Sequence, residues 1–144
     1  MAREGVRIAH VDDIPAVPGQ SYIEGAWKPV RADLGIDAFG TNAYVADAGQ
    51  LIVEEHDELN SDDPGASHRE LYVVLRGRAE FTLAGERVDA RAGTLVYLHD
   101  PAIVRSAVAL EDGTAVLAVG APAGRAFEPS QWETGWTASR GPMG

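Results

Sequence analysis

The chain has 144 residues, 45% of them hydrophobic and 24% charged, a single-domain length and a composition too apolar for wholesale disorder. The 22 acidic residues against 12 Lys and Arg give a formal charge of −10, a field that repels phosphate backbones and anionic lipid and so argues against nucleic acid or a membrane as partner. With no cysteine, disulfides, thiolate metal sites and cysteine nucleophiles are excluded.

The start of the chain has no basic stretch leading into an apolar core, and no run approaches the ~18 apolar residues of a membrane span. The expected location is therefore the cytoplasm. Residues 6–20, with Asp12-Asp13, Pro15 and Pro18-Gly19, read as an arm with at most one short strand. Residues 26–45 are β-branched and aromatic between Gly35 and Gly40, which predicts two edge strands and no helix. Seven short strands follow, opening near Leu51, Glu70, Ala79, Glu86, Thr94, Arg105 and Thr114. Glycines at 85, 93 and 113 mark turns between them. Evenly spaced short strands argue for an all-β sandwich or barrel. After Ala121 the text turns to Gly, Pro, Ser and Trp, an irregular tail with Trp132 or Trp136 as its anchor. The organisation is one domain: arm and edge strands over 1–45, barrel core over 46–121, tail over 122–144.

The chemistry concentrates between Leu51 and Arg76. Alternation along a strand puts Ile52, Glu54, His56 and Glu58 on one face, and His68, Glu70, Tyr72 and Val74 on one face of the next. If these two strands pair antiparallel with His56 opposite Glu70, all the polar groups look into one space. Imidazoles and carboxylates buried together must be paired, hydrogen-bonded or metal-bound. Such donors suit Fe, Mn, Ni, Cu or Zn, and spacing alone does not choose among them.

The segment from Glu70 to Gly77 resembles the end of the first cupin motif, in which a metal-binding Glu stands seven residues before a Gly. The stretch from Ala92-Gly93-Thr94 through His99-Asp100-Pro101 is similar to the start of the second. The resemblance implies a double-stranded β-helix, the jelly-roll barrel of cupins, and spans roughly residues 50–120. It departs from the family pattern at the ligands. Where metal-binding cupins carry H-x-H, this chain has Glu54-Glu55-His56, and the last His falls on Val104 or Arg105, the latter a cation that repels a metal. His68 is an addition two residues before Glu70, and His99 stands where the motif has proline. The candidate divalent-metal set is His56, His68 and Glu70, with Glu54 or His99 as a fourth. A metal-free pocket, with Arg105 on Glu70 or on a ligand carboxylate, stands beside it.

Other motifs are excluded. The acidic stretch Asp57 to Asp63 has Leu59 at a ligand position and lacks the EF-hand glycine. Ser67-His68 lies in no nucleophile elbow, and there is no phosphate loop. The functional expectation is an enzyme acting on a small organic molecule in the barrel, by metal-assisted oxygen chemistry or proton transfer. Glu70, Tyr72 and Arg105 are its catalytic or orienting groups. A binding or sensing barrel without turnover is the alternative. Exposed sheet edges and the arm predict a homodimer.

Overall fold

The computed structural model describes residues 4–17 and 24–129; the expected anchors Trp132 and Trp136 lie outside the described residues. Among the described residues nine strands account for most of the order: β1 (Ala26–Lys28), β2 (Gly40–Ala46), β3 (Leu51–His56), β4 (His68–Arg76), β5 (Arg78–Leu83), β6 (Glu86–Arg91), β7 (Leu95–Leu98), β8 (Arg105–Ala109) and β9 (Thr114–Pro122). They form two antiparallel sheets, one in the order β1-β2-β9-β4-β7 and the other β3-β8-β5-β6. The all-β jelly-roll expectation holds. Among the described residues no helix is long and apolar enough to cross a membrane.

Two expectations fail. A short helix, α1 (Val30–Leu34), stands between β1 and β2, where only strand was expected. Val30 and Leu34, four apart and so on one helical face, pack with Ile14, Val11 and Ala43, and that tertiary contact outweighs the β-propensity of the segment. Strand β2 is also no edge: it lies between β1 and β9, paired from Gly40↔Gly120 to Ala46↔Thr114.

The larger correction concerns pairing. β3 does not pair with β4. It pairs with β8 in the four-stranded sheet, while β4 pairs with β7 and β9 in the five-stranded sheet. Sequence neighbours usually lie side by side in a sheet, but here the connection through residues 57–67 carries the chain across the barrel.

The core fills the space between the sheets. Ile52, Val53 and Phe81 from one sheet meet Tyr72, Val74 and Val116 from the other, and the Tyr72 and Phe81 rings lie 5.5 Å apart, tilted, in a favourable aromatic geometry. Ala79, Ala90, Ala107 and Ala109 are the small residues that let the large ones interdigitate. Where β5 turns into β6, Ala84 and Gly85 both have positive φ, 50° and 83°, the signature of a two-residue type I′ hairpin.

The corner from β4 to β5 moves the chain from one sheet to the other at Gly77, whose φ is +74°. A Cβ there would come 2.8 Å from Thr114 Cα and closer still to Thr114 Oγ1. That hydroxyl is committed, since it donates to backbone carbonyls of Arg78 and Glu111. Gly77→Val is therefore expected to destabilise the protein by about 2 kcal/mol or more, through both left-handed backbone strain and the clash. A urea-unfolding midpoint equal to that of the unmodified protein would contradict this.

Candidate active site

Strand parity on β4 sends Tyr72 and Val74 into the core and turns Leu71, Val73 and Leu75 to the other side, with Leu75 exposed. Glu70 shares the inward face at the point where the core opens into a cleft of about 940 Å³. Its neighbours along the hydrogen-bonding row are Gly120 on β9 and, beyond it, Gly40 on β2. Both glycines line the cleft with Glu70, and the Phe127 ring packs over Gly40, where a Cβ would come 3.0 Å from it.

The opposite sheet supplies the partners. His56 ends β3 directly across from Arg105 on β8, and both reach over to Glu70. Arg105 Nη1 donates to Glu70 Oε1 at 3.1 Å, and its Nε donates to the Ile103 carbonyl at 2.9 Å. The guanidinium is 0% exposed and the Glu70 side chain 12%. His56 Nε2 lies 3.2 Å from Glu58 Oε1 and 3.9 Å from Glu70 Oε1, while its Nδ1 lies 2.7 Å from the Glu54 carbonyl. A carbonyl only accepts, so Nδ1 must carry a proton, and Nε2 is the nitrogen that faces the two carboxylates.

These contacts decide the charge states. Burial, reinforced by the charge of Glu58, raises the Glu70 carboxyl to about 7 against the pull of the Tyr72 hydroxyl, His56 and Arg105. Burial opposes charge on His56, but its hydrogen bonds to Glu58 and the Glu54 carbonyl, with the charges of Glu58 and Glu70, outweigh it and hold the imidazole above its ordinary value. Tyr72 is driven well above the ordinary phenol range by burial, with the Glu70 charge adding to it, and stays a neutral hydroxyl. Near neutrality, then, one carboxyl between a cation and an imidazole is poised to take or give a proton.

The sequence-predicted residues divide. Glu70, Tyr72, Arg105 and His56 come together, by facing across the barrel instead of pairing side by side. Glu58, which alternation put on the His56 face, takes the place assigned to His68. His68 lines the same cleft but packs its ring against Phe127, centroids 5.5 Å apart. Glu54 is not in the grouping that His56 and Glu70 form with Glu58, and β3 carries register shifts between Leu51 and Val53 and between Val53 and His56. The Glu54 backbone carbonyl accepts from His56 Nδ1, and burial raises its carboxyl against the charge of His56. His99 is also a correction. β7 ends at Leu98, which points inward, so His99 falls outside, exposed beside Tyr97. Asn42 lines the cleft from β2, nearly buried; the alternation of Gly40, Asn42 and Tyr44 was the signal that could have found it.

A metal has a partial fit. His56, Glu58 and Glu70 bring one donor atom each within 4.8 Å of one another, a grouping of nitrogen and carboxylate oxygen that could hold a divalent ion. The Arg105 guanidinium occupies the same Glu70 Oε1, and a permanent buried cation against a ligand oxygen opposes a second cation. The donor set suits a metal and its surroundings do not.

No family model matches the chain, and no curated protein matches it. Solved structures do. A Cupin 2 conserved barrel domain protein from Salinispora arenicola superposes with a TM-score of 0.62 at 21% identity, over 82% of this chain and 90% of that one. A sugar phosphate isomerase of the cupin superfamily from Silicibacter pomeroyi gives 0.63 at 14%, over 80% and 75%. A predicted oxalate decarboxylase from Thermotoga maritima gives 0.58 at 18%, over 81% and 99%. The chain has the cupin fold, the double-stranded β-helix.

A raised carboxyl means that the folded protein holds a proton the unfolded chain has released. Between the ordinary value of 4.5 and about 7, rising pH therefore favours unfolding, and raised His56 acts in the same direction at higher pH. Glu70→Gln cannot titrate, so the loss of stability from pH 4.5 to about 7 should be shallower in that variant than in the unmodified protein. Parallel stability-against-pH curves from chemical denaturation would contradict the assignment.

Proposed function

We propose that this protein is an enzyme that moves a proton within a small polar molecule held in the cleft, with Glu70 as the acid-base group. The observation that carries the reading is the setting of one carboxyl: Glu70 borders the open cleft, and its Oε1 is met by Arg105 at 3.1 Å and His56 at 3.9 Å. Arg105 favours the carboxylate that accepts a proton, while burial and Glu58 favour the acid that returns it. The two preferences nearly balance, which is what reversible proton transfer near neutral pH requires. In the simplest cycle Glu70 takes a proton from a carbon next to a carbonyl and delivers it to the neighbouring position, so that no oxidant or second substrate is consumed. Tyr72, a neutral hydroxyl hydrogen-bonded to Glu70, and His56, 3.9 Å from Glu70 Oε1, position that carboxyl. Fold neighbours described as an isomerase and a decarboxylase indicate that barrels of this shape accommodate enzymes.

A second reading has its own support. The Nδ1–H of His56 is tied to the Glu54 carbonyl, which leaves Nε2 aimed at Glu58 and Glu70, the way a histidine is commonly oriented toward a metal. In that reading His56, Glu58 and Glu70 would hold a divalent ion, and the ion would supply Lewis-acid polarisation of the bound molecule.

The test is deuterium exchange. When the protein is incubated in D2O with a panel of small aldoses, ketoses and oxo acids, the C–H beside the carbonyl of the true substrate class should exchange. Exchange should fall by about 100-fold or more in Glu70→Gln, with thermal unfolding still cooperative. Exchange that Glu70→Gln leaves untouched would overturn the proposal. Metal analysis of untagged protein purified without chelators separates the two readings: stoichiometric transition metal, lost in His56→Ala, would favour the second.

A further inference from the structure

The five-stranded sheet turns one face to the core, and only part of its outer face is covered. Over β2 and β9 the arm and α1 close it, with Ile14, Val30 and Leu34 packed among Ala43 and Leu117. That cover ends at an apolar groove of about 440 Å³, whose lining passes from the arm and α1 to Leu75 and Arg76 of β4. Beyond the groove the outward positions of β4 and β7 continue in register, Leu71 opposite Tyr97 and Val73 opposite Leu95. With Leu75 they make one surface of five apolar side chains. Leu75, Leu95 and Tyr97 are 44%, 65% and 56% exposed, so the greater part of that surface meets water in the single chain.

Apolar residues scattered singly over a surface need no explanation, whereas a contiguous patch does. The edges of the two sheets sharpen the point. A free edge strand invites pairing with another chain, and proteins blunt it with charge. β6, an edge of the four-stranded sheet, is Glu86-Arg87-Val88-Asp89-Ala90-Arg91, with four charged residues. β7, an edge of the five-stranded sheet, is Leu95-Val96-Tyr97-Leu98, with none. Val96 and Leu98 point into the core and are buried, so β7 is apolar on both faces. An antiparallel sheet with one face left to water alternates apolar inward with polar outward. β7 departs from that rule in the direction of a strand covered on both sides.

The charge of the chain selects what covers it. A net charge of −10 draws a basic partner to the carboxylates and makes two copies of the chain repel wherever carboxylates meet. None of the five side chains is charged. Arg76, on the neighbouring groove, is held by two hydrogen bonds to Asp12. Such a surface offers a basic partner nothing and sets no repulsion against its own copy. We propose that the protein pairs with a second copy of itself through the outer face of β4 and β7. Leu71, Val73, Leu75, Leu95 and Tyr97 of each copy meet the same five across a two-fold axis, in the manner of two sheets stacked face to face. The inference goes beyond the proton-transfer reading and is independent of it, because Glu70 points to the other side of β4. Either can fail while the other stands.

Sedimentation velocity on the full chain, from submicromolar to high micromolar concentration, tests this. The unmodified protein should sediment as a dimer, and added salt should not dissociate it, since no charge pair holds it. Leu95→Glu places an unpaired carboxylate from each copy in the interface and should weaken dimerisation by about 100-fold or more. Tyr97→Lys should act in the same direction with the opposite charge. Both residues are mostly exposed in the single chain, so both variants should still unfold cooperatively. Arg87→Glu, on the charged edge β6, should leave the dimer intact. A monomer at high micromolar concentration, a dimer that Leu95→Glu and Tyr97→Lys leave unchanged, or one that Arg87→Glu dissociates as readily would overturn the proposal. A monomer whose melting temperature falls sharply in Leu95→Glu would overturn it too, because the chain would then cover this face itself.

Discussion

The ion pair between Arg105 and Glu70 is the constraint on which the site depends. Arg105 belongs to β8 in one sheet and Glu70 to β4 in the other, so the pair spans the barrel. A guanidinium excluded from water cannot shed its proton and needs acceptors beside it, here Glu70 Oε1 and the Ile103 carbonyl. Glu70 must therefore face inward. That fixes the parity of β4, and with it Tyr72 and Val74 in the core and Leu71, Val73 and Leu75 on the other side. A slip of one residue would turn Glu70 away and leave the cation alone.

The same pair leaves the carboxyl unsettled, and from that follows its chemistry. Arg105 gives Glu70 a single hydrogen bond through Nη1, while its Nη2 has no partner among the described residues. One such bond does not offset burial and the charge of Glu58 together. An arginine held in two-pronged geometry would have fixed the carboxylate and removed its capacity to hold a proton. The single bond, with His56 across the gap, keeps both states within reach. The proposed proton transfer and the stability of the fold draw here on the same few atoms.

How far the sequence discloses this can be argued residue by residue. Alternation along Glu70 to Val74 was enough to place Glu70 and Tyr72 inward, because the period of two holds there, ahead of the register shift between Val74 and Arg76. Arg105 was legible from its place in a cupin-like motif as a group that opposes a metal. The pairing of the 51–58 segment with the 68–76 segment was not legible correctly. A connection of eleven residues can close a wide hairpin or cross a barrel, and single-strand patterns do not distinguish the two. The register shifts in β3 were not legible either, since a bulge leaves no mark in a list of residue types. His99 depended on one residue at a strand end, the least reliable boundary to place. Asn42 was missed because an amide in a strand draws attention only when its place at the cleft is seen.

The central claim is that Glu70 shares its protonation between two states near neutral pH because Arg105, His56 and burial oppose one another. Carbon-13 NMR of protein labelled at glutamate carboxyls, with the resonance assigned through Glu70→Gln, reads that directly. The account predicts a titration midpoint of about 7, moving higher in Arg105→Met, where the favouring cation is gone. A midpoint near 4.5, or one that Arg105→Met leaves unmoved, would contradict it.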